Sequence, residues 1–298
     1  MDVIQDQPPV AAKNLHIVDE LIEERAEKLR RSALWPLYKA ALYPLLLYKP
    51  AVKMADAVAR LPARGVFDHI SGLLDLNIEA RGLENLPETG RVLIAATHPT
   101  GIPDGIAMFD AIKDRRPDMT FFANRDALRA APGLEDRIIP VEWVAEKRTA
   151  QRSRETLVST VKAFKAEQCV VLFPSGRLAF MDDNKQLTEQ EWLSSVAIFA
   201  RKYNCPVVPV HIEMRNSWLY YWFWKLNSEL RDITLFHELL NKKKKTYRFI
   251  FGPAIAASEL KGDPKQVAAA LREHAMALKE APQDWRPIQA VDQATGSP

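Results

Sequence analysis

Glycine is scarce and poorly spaced for nucleotide binding: the 298 residues contain 11 glycines, and no two of them stand as Gly-x-Gly. Dinucleotide fingerprints and phosphate-cradling loops are thereby excluded. The only cysteines, Cys169 and Cys205, form no Cys-x-x-Cys. They can build neither a disulfide framework nor a zinc site, and a reducing compartment is the default expectation. No excess of one charge is present: 41 Lys and Arg face 38 Asp and Glu, a formal net of +3. Any basic character is therefore local, and charge gives no support to nucleic-acid binding. Long apolar runs are missing and the mean hydropathy is -0.21, which excludes a multi-span membrane protein. The elbow Gly-x-Ser-x-Gly and the zinc motif His-Glu-x-x-His are absent as well. What remains is chemistry that needs little apparatus.

What is present suits a folded enzyme-sized chain. Hydrophobic residues make up 47% and charged residues 27%, ordinary globular values with ample chain for a buried core. With no internal repeat and no clear linker, the simplest division is a helical N-terminal segment over 1–62, one domain over 63–281 and a loose tail over 282–298. The opening MDVIQDQPPVAA reads as a mobile tail without the features of a secretory signal. From Leu15 to Arg31 a highly charged helix is expected. It leads into an apolar stretch interrupted by Pro36, Pro44 and Pro50, too short and broken to span a bilayer. Its Trp35, Tyr38, Tyr43 and Tyr48, beside Lys39 and Lys49, suit the membrane interface; the alternative is a helical pair packed on the domain core.

After Pro62, β-like and helical stretches alternate, the pattern of an α/β domain with a mostly parallel central sheet flanked by helices. Strands are predicted over Arg91–Thr97, Met119–Ala123, Arg137–Val141, Gln168–Phe173, Val207–Ile212 and Thr246–Phe251. Thr188 and Glu191 predict a capping box for a helix through Tyr203, and Asp263-Pro264 predicts the start of a last helix ending near Glu280.

The first of these strands runs into Thr97-His98-Pro99-Thr100-Gly101-Ile102-Pro103-Asp104-Gly105, and a helix follows. Ligand sites of open α/β sheets favour the carboxyl ends of strands, and Pro103 in a first helical turn puts Asp104 where the helix dipole favours its charge. A carboxylate facing a histidine is the His-Asp half of a triad: it fixes the imidazole tautomer while the other ring nitrogen takes a proton from a nucleophile. That nucleophile can be a substrate hydroxyl or amine. The alternative is a loop histidine capping local backbone. Phe173-Pro174-Ser175-Gly176-Arg177 follows another apolar strand, so a tight turn with an arginine is expected at the same sheet edge. Its guanidinium suits phosphate or carboxylate, and its backbone N–H groups suit an anion or oxyanion. The alternative is an ordinary turn with a solvated arginine.

Four blocks in order, THPTGIPDG, DRIIPV, LFPSGR and VVPVHI, resemble the glycerolipid acyltransferases typified by lysophosphatidic-acid acyltransferase, and cover about Arg91 to Ile212. The continuation MRNSWLYYWF and LLNKKKKTYRFIFGPAI resembles the bacterial hemolysin-like branch, which includes acyltransferases of ornithine lipids. Two departures stand out. Five residues separate His98 and Asp104 where four are usual, with Pro103 in the expected place. Ser175 replaces the usual glutamate, and Arg177 stands one place early.

The resemblance implies direct acyl transfer from acyl-CoA or acyl carrier protein to a lysophospholipid hydroxyl, with His98 as general base and Asp104 orienting it. A lyso-ornithine or other non-phosphate acceptor, a non-catalytic lipid-binding protein and a hydrolase remain alternatives. Phe173, Pro174, Ser175, Gly176, Arg177 and Arg137 are the implied substrate-binding residues, with the Ser175-Gly176 backbone serving the oxyanion. No metal and no bound cofactor are implied. The implied setting is peripheral or monotopic on the cytoplasmic face of a bacterial inner membrane, with membrane lipids, and acyl carrier protein as donor, for partners. Trp218–Leu226, the densest aromatic run, suits an interfacial patch as well as a core. Lys242–Lys245 reads as a solvated basic loop that also suits anionic lipid or an acidic carrier protein. His211, on an apolar strand, reads as a core residue.

Overall fold

The computed structural model describes residues 15–142 and 147–280; the two segments expected to be loose tails lie outside these residues. The described residues form a seven-stranded sheet from β1 (Asn77–Arg81), β2 (Val92–Ala96), β3 (Thr120–Asn124), β4 (Ile138–Val141), β5 (Cys169–Leu172), β8 (Val207–Glu213) and β9 (Thr246–Phe251), in the order β1-β9-β8-β2-β5-β3-β4. Neighbours are parallel except β8 and β9. A small hairpin joins β6 (Phe180–Met181) to β7 (Leu187–Thr188). The six predicted strands all form. The central pair, β2 and β5, is buried at every position, which is why VLIAA and CVVL read as unbroken apolar runs. β1 was not predicted: NIEAR is a mostly exposed edge strand with no apolar run to mark it.

Five helices precede or border the first strand: α1 (Ile17–Arg25), α2 (Glu27–Arg30), α3 (Trp35–Leu45), α4 (Tyr48–Val58) and α5 (Ala63–Leu74). The helix expected over 15–31 is split at Ala26, because the Glu229 carboxylate accepts from the Lys28 and Leu29 N–H groups and starts a second helix there. Pro36 and Pro50 fall in first turns, where a missing N–H costs little, and Leu47 at φ 56° separates α3 from α4. Next come α6 (Ile102–Ile112) after β2, the short α7 (Asp126–Ala130) after β3, α8 (Ala150–Lys165) before β5 and α9 (Ser195–Tyr203) before β8. Then α10 (Trp218–Leu226), α11 (Ser228–Asp232) and α12 (Leu235–Leu240) link β8 to β9, and α13 (Pro264–Ala277) follows, capped by the Asp263 carboxylate as predicted. α9 starts at Ser195, well after the predicted capping box. Thr188 instead belongs to β7, and the Leu193 N–H is drawn to the Pro174 carbonyl at 3.0 Å.

Strand alternation divides the interior in two. On one face Ile94, Val171, Val210 and Phe249 pack against α1, α3, α4, α5, α6, α10 and α12; on the other Leu93, Val170 and Val207 pack against α8, α9 and α13. The N-terminal helices thus share the first core, and the expected boundary at Pro62 runs through packed structure. Trp35 is buried, and Tyr43 and Tyr48 stack on each other and donate to the Asp19 carboxylate. These aromatics turn inward, while Leu34, Leu37, Tyr38 and Leu45 are exposed.

Candidate functional site

β2 ends at Ala96 and the chain crosses the carboxyl edge of the sheet through Thr97, His98, Pro99 and Thr100 into α6. Gly101 makes the entry turn at φ 97° and ψ -130°, a conformation that L side chains rarely adopt. Asp104, in the first helical turn, folds back over it. Its Oδ2 accepts from the Thr100 N–H at 2.8 Å and the Gly101 N–H at 3.0 Å, and its Oδ1 accepts from the Thr100 hydroxyl. The same Oδ2 lies 2.9 Å from His98 Nδ1. The Asp104 carboxylate thus accepts three backbone or hydroxyl donors, and it accepts the Nδ1–H as well, which leaves the Nε2 lone pair as the basic site.

Asp104 has no solvent exposure, while the His98 side chain is 17% exposed. The imidazole stacks on Phe173 with centroids 4.2 Å apart. No side chain among the described residues hydrogen-bonds Nε2, so the basic nitrogen is open at the sheet edge. Behind the pair, the Thr100 hydroxyl also hydrogen-bonds the Tyr247 hydroxyl at 2.8 Å, and Tyr247 is fully buried.

The Phe173–Arg177 turn lies beside this loop, since the Ala179 N–H donates to the His98 carbonyl at 2.9 Å. Its residues serve the site differently from the sequence expectation. Phe173 supports the imidazole ring, and the Pro174 carbonyl accepts from Leu193. Buried Ser175 donates to the Arg177 carbonyl at 2.8 Å. The Gly176 N–H is tied to the Phe173 carbonyl at 3.0 Å, so it is not an open oxyanion donor. Arg177 is exposed at this edge. Arg137 is not brought to the site: it precedes β4, at the opposite edge of the sheet, and its guanidinium donates to the Pro117 and Met119 carbonyls at 2.8 and 3.2 Å.

Sequence reasoning missed Glu189. Its carboxylate is 2% exposed, accepts from the His98 backbone N–H at 2.9 Å and from Trp192 Nε1 at 3.1 Å, and lies beside the Ser175 side chain. Burial pushes its carboxyl above the ordinary range, against those hydrogen bonds. Arg272 of α13 donates to the Glu189 and Gln190 carbonyls. One buried side chain therefore ties the His98 loop to the LFPSGR turn. It was hidden because Glu189 sits in an irregular stretch with no motif of its own. Lys242, expected in a solvated run, is buried against Glu238 at 2.9 Å. Among the described residues no group of three His, Cys, Asp or Glu is arranged to hold a metal ion.

Residues 77–213 match the Acyltransferase family. A lyso-glycine lipid O-acyltransferase of Phocaeicola vulgatus is 28% identical over 189 residues, covering 61% of this chain and 65% of the relative. The match thus spans just under two thirds of that relative's length. A second lyso-glycine lipid O-acyltransferase, from Bacteroides thetaiotaomicron, is 24% identical over 188 residues, covering 61% of this chain and 67% of its own. Among solved structures, the 1-acyl-sn-glycerophosphate acyltransferase PlsC of Thermotoga maritima aligns with a TM-score of 0.44 and 15% identity, over 84% of this chain and 94% of that one. The segment that matches the acyltransferase family, 77–213, is the one that holds His98, Asp104, the Phe173–Arg177 turn and Glu189.

Proposed function

We propose that the protein transfers a fatty acyl chain from a thioester, acyl-CoA or acyl carrier protein, to the hydroxyl of a lysolipid. The observation that carries this is the His98–Asp104 pair, with Nδ1 engaged by a buried carboxylate and Nε2 open. Nε2 takes the proton of the acceptor hydroxyl as its oxygen attacks the thioester carbonyl. When the tetrahedral intermediate collapses, the new C–O bond stays, the C–S bond breaks and the imidazolium returns its proton to the thiolate. Asp104 stabilises the imidazolium between these steps. The acceptor in this reading carries an amino-acid headgroup, not a phosphate. Support comes from the lyso-glycine lipid named for the two relatives and from the structural use of Arg137, which leaves Arg177 as the arginine of the matched blocks at the sheet edge.

The reading has the protein working at a membrane surface on the cytoplasmic side, where thioester donors are made. No helix of the described residues is long and apolar enough to cross a membrane, but Trp218, Trp222 and Leu226 stand exposed at four-residue spacing on α10. Such a stripe suits the headgroup region. The test is transfer from labelled acyl-CoA and acyl carrier protein to lyso-glycine lipid, lyso-ornithine lipid and lysophosphatidic acid in mixed micelles. Acylation of an amino-acid lysolipid by wild type, lost in His98→Ala, is expected. Acylation of lysophosphatidic acid alone would overturn the acceptor assignment, and no acylation of any lysolipid from either donor would overturn the activity.

A further inference from the structure

A cleft opens on the face of the sheet that carries α13, beside the end of that helix. It holds about 580 Å3 and starts at Thr97 and Pro99, the residues flanking His98, with Glu189 beside them. A second hollow of about 260 Å3 prolongs it across β9 to β1, the two sharing Glu213, Arg248 and Lys279. From β2 to β1 the floor crosses three inter-strand spacings, about 14 Å.

His211 of β8 lines this cleft. It is 8% exposed, and its Nδ1 is buried without a hydrogen-bond partner. Buried polar atoms rarely go unpaired, and the ring that carries this one lines the cleft. Burial, with Lys279 beside it, pushes the imidazole down to about 4, so at neutral pH it is an uncharged ring with one donor and one acceptor. Around it stand Arg215, Arg248 and Lys279 against Glu213, with the buried Glu189 at the Thr97 end and Glu79 already paired with Arg248 at 2.6 Å. Among the described residues no carboxylate lies within ion-pair distance of Arg215 or Lys279. Leu187, Met214 and Met276 supply apolar wall. A cleft that is long, partly apolar, rich in cations and furnished with a neutral hydrogen-bonding ring fits an extended amide-bearing chain that ends in phosphate.

The sheet also separates this cleft from the apolar surface. Trp218 and Trp222 of α10, and Leu37 and Leu45 of α3, are exposed on helices packed on the opposite face, the face to which Phe173 and the stacked His98 ring belong. A lipid acceptor arriving from that side meets His98 directly, and the α13 side is left for a water-soluble substrate. We propose, resting on the acyltransferase reading, that the cleft bounded by β8, β9 and the end of α13 seats the donor, gripping the phosphopantetheine arm common to coenzyme A and carrier-protein thioesters. The arm crosses β8 past His211 with its phosphate among Arg215, Arg248 and Lys279, and its thioester end reaches over Pro99 to the imidazole.

The test combines binding and turnover on the full chain. Calorimetry with coenzyme A and with 4'-phosphopantetheine is run on wild type and on the double variant Arg215→Glu/Lys279→Glu, whose positions are exposed; circular dichroism checks the fold. Donor and acceptor KM are measured on both proteins, with acyl-CoA and acyl carrier protein as separate donors. Losing charge-assisted contacts predicts binding weaker by about tenfold or more, a matching rise in donor KM, little change in kcat or acceptor KM, and inhibition of wild type by 4'-phosphopantetheine that the variant escapes. An active variant with unchanged donor KM and unchanged coenzyme A binding overturns the cleft assignment and leaves the acyltransferase reading standing. A wild type that acylates nothing yet binds coenzyme A in a charge-sensitive way overturns the acyltransferase reading and leaves the cleft as a phosphopantetheine site.

Discussion

Asp104 holds His98 Nδ1 at 2.9 Å from a position with no solvent exposure, and the same carboxylate oxygen accepts two backbone N–H groups of the turn between them. One oxygen thus sets both the loop conformation and the imidazole tautomer. Asp104→Asn keeps the shape but removes the charge that stabilises the imidazolium, and its amide has an N–H where the ring nitrogen needs an acceptor. The expected outcome is a fall in kcat of roughly 10²-fold to 10⁴-fold, the range for losing a positioned base, with a near-native circular dichroism spectrum. An Asp104→Asn protein within a few fold of wild type would mean that His98 is oriented by something else.

Glu189 acts one step further back, through the His98 backbone. Glu189→Ala leaves the buried His98 N–H and Trp192 Nε1 without acceptors, a loss of about 1–3 kcal/mol visible in urea denaturation, with a lower kcat because the loop is released. Glu189→Gln retains a carbonyl oxygen that can accept from His98. It is expected to recover most of the turnover, and equal turnover in the Ala and Gln variants would remove Glu189 from the site.

The division between what the sequence disclosed and what it concealed follows physical lines. Central strands announce themselves because burial on both faces demands unbroken apolar runs, so β2, β5 and β8 were legible together with the turns that follow them. The family resemblance carried by those turns is matched over 77–213, and the structure brings His98 and Asp104 together. Edge strand β1, mostly exposed, has no such signature. Roles set by distant partners were also hidden. Glu189 meets His98 across 91 residues of chain, Tyr247 reaches Thr100 across 147, and the charged run at Lys242 gives no sign that one of its lysines is buried. Arg137 shows the reverse error: a motif position suggested a ligand contact, whereas the carbonyls at the start of β3 take up its guanidinium.

His211 gives the fold an acid liability. Unfolded, the ring takes a proton near its ordinary 6.5; folded, burial delays this to about 4. Across that window the native state holds fewer protons, so stability is fully present above 6.5 and declines as the pH falls toward 4, by at most about 3 kcal/mol. Urea denaturation of wild type and His211→Gln at pH 7 and pH 4.5 checks this. The variant is expected to lose less stability on acidification than wild type does, and parallel losses in the two proteins would contradict it.

Trp218 is 73% and Trp222 49% exposed on α10, one turn apart, while Leu219 and Phe223 are buried beneath them. Removing the outer rings should leave folding stability within about 0.5 kcal/mol, as for other surface changes. If the stripe enters a lipid headgroup layer, Trp218→Ser/Trp222→Ser loses roughly 1.5 kcal/mol or more of burial, seen as a tenfold or greater drop in partitioning onto anionic liposomes by sedimentation. Unchanged partitioning would point to a different contact surface.

The pair Glu238–Lys242 lies behind the site, with Lys242 at 2% and Glu238 at 3% exposure and Nζ 2.9 Å from Oε2. Burial works against the Glu238 charge, yet Lys242 together with the Ser217 N–H and hydroxyl holds its carboxyl below the ordinary range. Breaking such a pair on one side strands a buried charge, so Glu238→Ala should lose about 3–5 kcal/mol. Replacing both partners tests whether the charge itself is needed. In Glu238→Leu/Lys242→Met no ammonium is stranded, and stability should return toward wild type, apart from the Ser217 hydrogen bonds that anchor the start of α10. A double variant as unstable as Glu238→Ala would locate the loss in those Ser217 bonds and not in the ion pair, and urea denaturation of the three proteins separates the two.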